Sequence, residues 1–327
     1  MRQTLALIKD WLMLQWKMCT DRENRWLSVP ITAAALLVLL VFVKSCQGIV
    51  YGRSNECKIR ISGYPVDEAR ALAAVLSNEQ IDSLIARQEV DTFAHAIVSG
   101  RYYISENFFR YLDFHKTDTT HASVNDIIAM VNIGADRKLD EFSTPSDTTK
   151  GFLILVNKYH YLDEQYKRDD MVSFVKTCSF GDNKAAKAVI DAFDLLQREC
   201  MKETKAQLMI SSAYRSFQEQ EHTHKRYNKK LVAQAGCSEH QTGLSIDITS
   251  LQHPEKWEFG KSAEGQWVRN NCHKYGFILR YPEGKTHITG YDYEPWHLRY
   301  VGVEAARRIH DEGTTLDEYY AYYLDKR

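Results

Sequence analysis

An aspartate inside an apolar run is the feature that most constrains how this chain can fold. Asp247 lies in the segment LSIDI at residues 244–248, where leucine and isoleucine occupy the nearby positions. Burying a carboxylate in such a strand-like segment costs free energy unless the group is paired or binds a metal. The fold must therefore bring a partner to Asp247 from another part of the chain.

Two other segments supply candidate partners for this carboxylate. His240 precedes Asp247 on a predicted loop, and the sequence EPWH places Glu294 and His297 close together. Because Pro295 disfavours a helical conformation for the residue before it, Glu294 and His297 are predicted at the start of a strand. Two imidazole nitrogens and one carboxylate oxygen form the ligand set of a catalytic zinc and leave a fourth position for water.

The sequence therefore predicts a zinc site formed by His240, Asp247 and His297. Zinc lowers the pKa of its bound water toward 7 and polarises a carbonyl group. Glu294 fits the role of general base, because a nearby carboxylate outside the ligand set can take the proton of that water and pass it to a leaving amine. Each residue alone is more simply a core or surface group, but the combined pattern favours a metal site.

Two other hydrolase classes fit the sequence less well. A serine hydrolase requires G-x-S-x-G, and GLSID at residues 243–247 lacks the second glycine. A cysteine peptidase built on Cys237 and His240 leaves Asp247, Glu294 and His297 unexplained. We therefore expect metal-assisted hydrolysis rather than a covalent acyl-enzyme.

The composition bounds the partners and the cysteine chemistry. The chain has 327 residues, with 42 Lys and Arg against 43 Asp and Glu, so its net charge of −1 predicts no nucleic-acid binding. The seven cysteines form no CxxC pair, which argues against a Cys-based structural zinc site. Cys178, Cys200, Cys237 and Cys272 either form one or two disulfides in an oxidising compartment or remain buried thiols.

An uncharged segment near the N-terminus predicts a membrane anchor. Residues 26–43 carry no charge. At about 1.5 Å per residue they span roughly the hydrocarbon core of a bilayer. We expect a transmembrane helix at residues 26–44 rather than a cleaved signal peptide, because residues 1–25 exceed a normal n-region and no clean cleavage site follows. A lipoprotein acylated at Cys46 is a further alternative. Basic residues are balanced on the two sides of the span and do not predict its orientation.

The rest of the chain is predicted to form a helical region and an α+β domain. Residues 45–150 read as a linker and helical region, in which Asp67 and the sequence SNEQ at residues 77–80 resemble helix caps. Residues 151–327 read as the catalytic domain. Its predicted strands are 152–156, 207–213, 244–248, 276–281 and 297–301, and its predicted helices are 184–200, 217–234 and 262–275. Their irregular spacing favours a mixed or antiparallel sheet with helices packed against it.

Several longer motifs carry a family resemblance. They are SEHQTG (238–243), EPWHLRYVG (294–302), LVNKYHYL (155–162), SAYRSFQEQ (212–220), GFILRYPEGK (276–285) and ITGY (288–291), with Gly63, Tyr64 and RYLDF (110–114) upstream. In this order they resemble the VanY-type D-alanyl-D-alanine carboxypeptidases, which include the LdcB-like L,D-carboxypeptidases. The resemblance covers residues 62–323 and implies the zinc fold of the D,D-peptidase and Hedgehog group.

The resemblance also implies roles for individual residues. His240, Asp247 and His297 match the zinc ligands of the family, and Glu294 matches its base. Arg215 matches the arginine that stabilises the oxyanion and the substrate carbonyl, a role that suits a guanidinium fork. The polar substrate contacts of the family correspond to Gln220 and Ser238. Tyr281, Trp296 and Arg299 are candidates for the pocket wall, with core packing as the alternative.

The implied function is removal of the C-terminal D-alanine from peptidoglycan stem peptides. Two alternatives stay open, an L,D-carboxypeptidase acting on tetrapeptide stems and a non-catalytic module that binds cell-wall peptide. Residues 166–170 lack the proline that is usual in the family after Tyr166, and Cys237 is unusual at its position, so the scissile bond is not predicted. The implied location is the bacterial cytoplasmic membrane, crossed once, with the catalytic domain on the cell-wall side.

Overall fold

The computed structural model describes residues 13, 43–44, 54–118, 122–137, 143–226 and 232–325. It divides into two compact units, Met1–Ser99 and Gly100–Arg327. The domain boundary predicted at residue 150 falls inside the second unit. The predicted transmembrane helix lies outside the described residues except at positions 43 and 44, and no described helix is long and apolar enough to cross a membrane.

The first unit is helical in the part that the structure describes, as the sequence predicts. Its helices are α1 (Asn55–Ile61), α2 (Val66–Val75), α3 (Asn78–Ala86) and α4 (Ala94–Val98). The predicted capping box is confirmed, because the Ser77 hydroxyl accepts from the Gln80 amide at 3.2 Å and the Gln80 side chain accepts from the Ser77 amide at 2.9 Å. The cap predicted at Asp67 is wrong. Helix α2 begins at Val66, so Asp67 lies in its first turn. There its negative charge still interacts favourably with the positive end of the helix dipole.

The second unit begins with two helices and two small strand pairs. Their bounds are α5 (Phe108–Thr117), α6 (Val124–Asn132), β1 (Thr144–Pro145), β2 (His160–Tyr161), β3 (Met171–Ser173) and β4 (Lys184–Ala186). Strands β1 and β2 pair in parallel, and β3 and β4 pair antiparallel.

The strand predicted at residues 152–156 is wrong. A 3-10 helical segment at Thr148–Leu153 covers its start, and its apolar side chains from Ile154 onward are buried without joining a sheet. The carbonyls of Phe152 and Ile154 accept hydrogen bonds from Arg299 Nη2 at 3.0 and 2.6 Å. A side chain thus satisfies the backbone that a neighbouring strand would otherwise pair with.

A four-stranded antiparallel sheet forms the centre of the second unit. The strands are β5 (Leu208–Ser212), β6 (Ser245–Ser250), β7 (Phe277–Leu279) and β8 (His297–Tyr300), in the order β5-β6-β8-β7. The other four strand predictions are confirmed with slightly different ends. The predicted helices correspond to α7 (Lys187–Thr204), α8 (Phe217–Arg226) and α10 (Ala263–Asn271), and the remaining ones are α9 (Lys256–Lys261), α11 (Thr286–Thr289), α12 (Val303–Glu312) and α13 (Leu316–Tyr319). The α+β prediction is confirmed.

The two faces of this sheet differ in chemistry. Side chains alternate along a strand, so Ile246 and Ile248 of β6 and Leu298 of β8 join one apolar core with residues of α7 and α10. Asp247 and His297 point to the opposite face. A second apolar cluster, which includes Ile278, Val301, Ala306, Ile309 and Leu316, packs beside β7 and the C-terminal helices.

The described cysteines are free thiols. They are Cys57, Cys178, Cys200, Cys237 and Cys272. Three of them, Cys178, Cys200 and Cys272, belong to the apolar core beneath the sheet. Of the two interpretations of the cysteines, the structure agrees with buried thiols for these three.

Candidate active site

The register of the central sheet brings together residues that lie 50 positions apart in sequence. Asp247 on β6 and His297 on β8 are direct partners in the antiparallel ladder, so their side chains lie on the same face. His240 lies on the 3-10 turn Glu239–Thr242, which leads into β6 through Gly243. Gly243 has a φ of 68°, and a Cβ there would lie 2.7 Å from the Met171 sulfur. Only glycine fits this turn without strain, and the turn holds His240 close to Asp247.

His240, Asp247 and His297 form what we call the metal trio. Asp247 Oδ1 lies 3.5 Å from His240 Nε2 and 3.1 Å from His297 Nδ1. One ligand atom from each residue lies within 4.8 Å of the others, and all three residues are buried. Asp247 Oδ1 has no hydrogen-bond partner within the described chain. A buried carboxylate oxygen without a donor, facing two imidazole nitrogens, fits a metal ligand set.

The hydrogen bonds around His240 leave its Nε2 free for a metal. Its Nδ1 lies 2.6 Å from the Ala213 carbonyl, which can only accept a hydrogen bond, so Nδ1 carries the proton. Burial and the positive charge of Arg215 lower the pKa of His240 to about 4. The imidazole is therefore neutral near pH 7, and its Nε2 lone pair points toward Asp247.

The pKa values of the two carboxylates at the site, Asp247 and Glu294, are shifted in opposite directions. Burial disfavours the charged form of Asp247, but His240 and Lys256 outweigh it and hold the pKa of Asp247 well below its usual range. Burial raises the pKa of Glu294, and the nearby charge of Asp247 adds to this effect. Glu294 Oε2 lies 3.6 Å from His297 Nδ1. A carboxylate with a raised pKa beside a ligand set is suited to exchanging protons.

His297 has a carboxylate close to each of its ring nitrogens. Nδ1 faces Asp247, and Nε2 lies 3.6 Å from Glu239 Oε2. Burial alone lowers the pKa of His297, but Asp247 and Glu239 outweigh it and raise the pKa to about 9. The two carboxylates therefore stabilise the protonated ring, and a bound metal would take the place of one proton.

Arg215 brings a positive charge to the same site. Its backbone N–H donates to the His240 carbonyl at 3.3 Å, and its Nε is buried without a partner among the described residues. Burial lowers the pKa of Arg215, and the charges of Asp247 and Glu294 oppose this effect. The guanidinium therefore keeps a free donor near the metal trio.

The predicted substrate contacts have different surroundings. The Tyr281 ring lies 4.9 Å from the His297 ring, and Trp296 precedes His297 at the start of β8. Ser238 is buried at the start of the 3-10 turn that carries His240. Gln220 is buried on α8, where its amide nitrogen donates to the Ala233 carbonyl at 2.7 Å. Its side-chain oxygen has no partner among the described residues.

Lys256 is a site residue that the sequence did not predict. As the first residue of α9, it places its Nζ 2.7 Å from Asp247 Oδ2 and 5.1 Å from the centre of the Trp296 ring. It thus occupies the carboxylate oxygen that faces away from the two histidines. Nothing in its local sequence distinguishes it from an ordinary surface lysine.

Four further charged residues form what we call the arginine–carboxylate network, namely Glu239, Arg280, Arg299 and Asp317. Glu239 Oε1 accepts from Arg280 Nε and Arg299 Nη1, both at 2.7 Å, and Arg280 also binds Asp317. Their side chains are inaccessible to solvent. Arg299 is therefore not a pocket residue. An arginine inside the apolar run HLRYV is the signal that could have predicted a buried acid.

Comparisons with known proteins identify the family. The VanY model, described as D-alanyl-D-alanine carboxypeptidase, matches residues 182–303. The chain is 40% identical over 202 residues to YodJ of Bacillus subtilis (strain 168). The aligned region covers 56% of this chain and 72% of YodJ. The chain is 30% identical over 241 residues to a D-alanyl-D-alanine carboxypeptidase of Enterococcus faecium, covering 71% of this chain and 77% of the relative. The chain belongs to the VanY family.

A solved structure agrees with VanY membership. The LdcB LD-carboxypeptidase superposes with a TM-score of 0.51 at 37% identity, covering 57% of this chain and 92% of LdcB. The predicted VanY-type resemblance is confirmed, as is the predicted enzyme class of carboxypeptidase. The zinc, the residues that would hold it and the bond that is cleaved belong to the proposal below.

Proposed function

We propose that this VanY-family enzyme is a zinc carboxypeptidase that removes the C-terminal D-alanine from peptidoglycan stem peptides ending in D-Ala-D-Ala. The main evidence for the proposal is that His240, Asp247 and His297 are buried with their ligand atoms close together. Glu294 lies beside them and outside the ligand set. The name of the E. faecium relative supports the D-Ala-D-Ala bond.

In this proposal the metal trio holds zinc, which would polarise the scissile carbonyl and acidify a bound water. Glu294 takes a proton from the attacking water and delivers it to the departing amine of D-alanine. Its raised pKa suits both halves of this transfer, because a carboxylate that binds a proton more tightly is a better base and still releases it to an amine. Ala213 orients His240 through its carbonyl, and Lys256 keeps the second oxygen of Asp247 occupied.

Arg215 would select for a chain terminus. A carboxypeptidase must bind a free terminal carboxylate or the oxyanion that develops next to it, and a guanidinium matches both. The buried Nε of Arg215 has no partner among the described residues, so it can donate to a ligand without first breaking a protein contact. Gln220, Ser238, Tyr281 and Trp296 are the proposed substrate contacts around it.

A second candidate is an L,D-carboxypeptidase that acts on tetrapeptide stems. The similarity to LdcB, at 37% identity and with 92% of that chain covered, favours this alternative. A non-catalytic binding module is less consistent with the site, because a module without chemistry has no need for a carboxylate of raised pKa beside three converging ligands.

The released amino acid tests these alternatives directly. The purified full-length chain, loaded with zinc, is incubated with tetrapeptide and pentapeptide muropeptides, and the products are identified by mass. Release of D-alanine from the pentapeptide supports the proposal. Release from the tetrapeptide alone identifies the L,D-enzyme. Binding of either peptide without release identifies a binding module and contradicts both enzymes.

We also propose that residues 26–44 anchor the enzyme in the bacterial cytoplasmic membrane, with the catalytic domain on the cell-wall side. The charge-free composition of residues 26–43 and the extracytoplasmic location of the proposed substrate support this placement. A C-terminal alkaline phosphatase fusion should be active in cells, and a C-terminal fusion to a reporter that functions only in the cytoplasm should be inactive. The reverse pattern would refute the proposed orientation.

A further inference from the structure

Among the described contacts between side chains, the arginine–carboxylate network touches the metal trio at one point. Glu239 Oε2 lies 3.6 Å from His297 Nε2, which is buried and has no hydrogen-bond partner in the part of the chain that is described. The same Oε2 accepts from the Ser245 hydroxyl at 3.0 Å, and Oε1 accepts from Arg280 and Arg299. Glu239 is thus fixed from three directions, and its fourth direction faces the imidazole.

The two nitrogens of His297 face different groups. Nδ1 faces the side of the ring where Asp247 and Glu294 converge, so the ligand set can use only this nitrogen. A metal-binding imidazole that uses Nδ1 must carry its proton on Nε2. The group opposite Nε2 therefore decides whether the correct tautomer is favoured. A carboxylate there accepts the N–H, whereas a donor there would oppose it.

We infer that Glu239 is a positioning residue that fixes His297 as the tautomer with its proton on Nε2 and Nδ1 free for zinc. The inference rests on the proposed function and deepens it, because it assigns a role to a residue outside the ligand set. Glu239 acts through His297 and touches no substrate.

The two arginines explain how a buried carboxylate can hold this position. An isolated ionised carboxylate in the protein interior is strongly disfavoured, and it would neutralise by taking a proton. Arg280 and Arg299 both bind Oε1, which leaves Oε2 for Ser245 and His297. Asp317 accepts from Arg280 Nη1 and Nη2 at 2.5 and 3.2 Å and so balances the second positive charge. The four side chains form a neutral, rigid set.

Zinc affinity of two matched variants tests the inference. Glu239→Gln keeps the shape of the side chain but turns an amide N–H₂ toward either His297 or the arginines, and both arrangements set donor against donor. We expect the dissociation constant for zinc, measured by competition with a chromophoric chelator, to rise by about 10- to 100-fold. Asp317→Asn removes one charge from the same network and touches the same Arg280, but it has no described contact with the metal trio.

The two variants should differ in affinity more than in stability. We expect both to lower the melting temperature, and Asp317→Asn to change zinc affinity by at most about threefold. Equal losses of affinity in both variants would overturn the inference, since general damage to the network would then explain them. Unchanged affinity in Glu239→Gln would overturn it as well.

Nitrogen NMR of the wild-type full-length chain decides the case if Glu239→Gln does not fold. Long-range ¹⁵N–¹H spectra of the zinc-loaded protein should show His297 protonated on Nε2 and metal-bound through Nδ1, and His240 the other way round. Zinc binding through Nε2 of His297 would overturn the inference while leaving the zinc enzyme intact. A wild-type chain that binds no zinc would instead refute the proposed function, and the inference with it.

Discussion

The metal trio and the arginine–carboxylate network are both sets of buried charges on one side of the same sheet, and they differ in how completely the protein satisfies them. In the network, Arg280 alone donates three hydrogen bonds to two carboxylates. In the trio, Asp247 Oδ1 faces two imidazoles without accepting a hydrogen bond. Buried charged groups whose hydrogen bonds are all made within the protein stabilise the structure. A buried charged group that lacks such a partner is available to bind a ligand. Four predictions test this difference.

Glu294→Ala should have the largest effect, on turnover. Removal of a general base lowers the rate by about 10²- to 10⁴-fold. Zinc should stay bound, because Glu294 lies outside the trio. Rates of D-alanine release and the zinc content of the same sample provide the measurement. Glu283→Ala, which removes an exposed carboxylate, is the control and should retain full activity. Full turnover in the Glu294 variant would exclude this residue as the base.

Arg280→Met should have the largest effect on stability. It leaves Glu239 and Asp317 buried with one cation fewer, and breaking a buried ion pair from one side costs about 3–5 kcal/mol. Urea unfolding of the zinc-free protein measures this loss without a contribution from the metal. Arg269→Met removes a half-exposed pair with Glu283 and should cost less than about 1 kcal/mol. Similar losses in the two variants would contradict a structural role for the network.

Lys256→Met should weaken zinc binding by about tenfold. Without the ammonium group, Asp247 Oδ2 loses its 2.7 Å partner and the carboxylate is free to rotate away from the histidines. The dissociation constant for zinc is again measured by chelator competition. Lys261→Met changes an exposed lysine on the same helix and should bind zinc as the wild type does. If Lys256→Met binds zinc equally well, Lys256 does not orient the ligand.

Ser77→Ala should have the smallest effect. It tests whether the stability of the first unit influences the activity of the second. Loss of the capping box at α3 costs about 1 kcal/mol in the first unit. Zinc affinity and turnover should not change, since the site lies wholly in the second unit. Hydrogen exchange of α3 amides and the rate of D-alanine release give the two measurements. A loss of turnover would show that the helical unit supports catalysis.

Local sequence patterns were sufficient to predict the four strands of the central sheet and to single out the members of the trio. Asp247 is a charged residue between two isoleucines of one predicted strand, and His297 begins the last predicted strand, so each residue is conspicuous beside its immediate neighbours. The failure at residues 152–156 has a matching cause. A buried apolar run looks the same whether it pairs in a sheet or lies beneath one, and the side chain of Arg299 decides between them.

The site features that could not be predicted depend on contacts between residues that only the folded chain brings together. Glu239 meets Arg280 and Arg299, which lie 41 and 60 residues away, and no periodicity links them. Lys256 is only nine residues from Asp247, but it reaches the carboxylate because a turn after β6 redirects the chain into α9. Such pairs depend on the path of the chain and not on its local composition.

The pairing of β6 with β8 also sets when the enzyme becomes active during its synthesis. In the proposed zinc site, His297 can act as a ligand only when it lies across the ladder from Asp247, so a nascent chain that ends before residue 297 would have no complete metal site. If the proposed site is correct, the enzyme stays inactive on the ribosome until β8 has emerged and joined the sheet. A truncated translation product that lacks β8 would likewise be unable to cleave the peptides that the full enzyme cleaves.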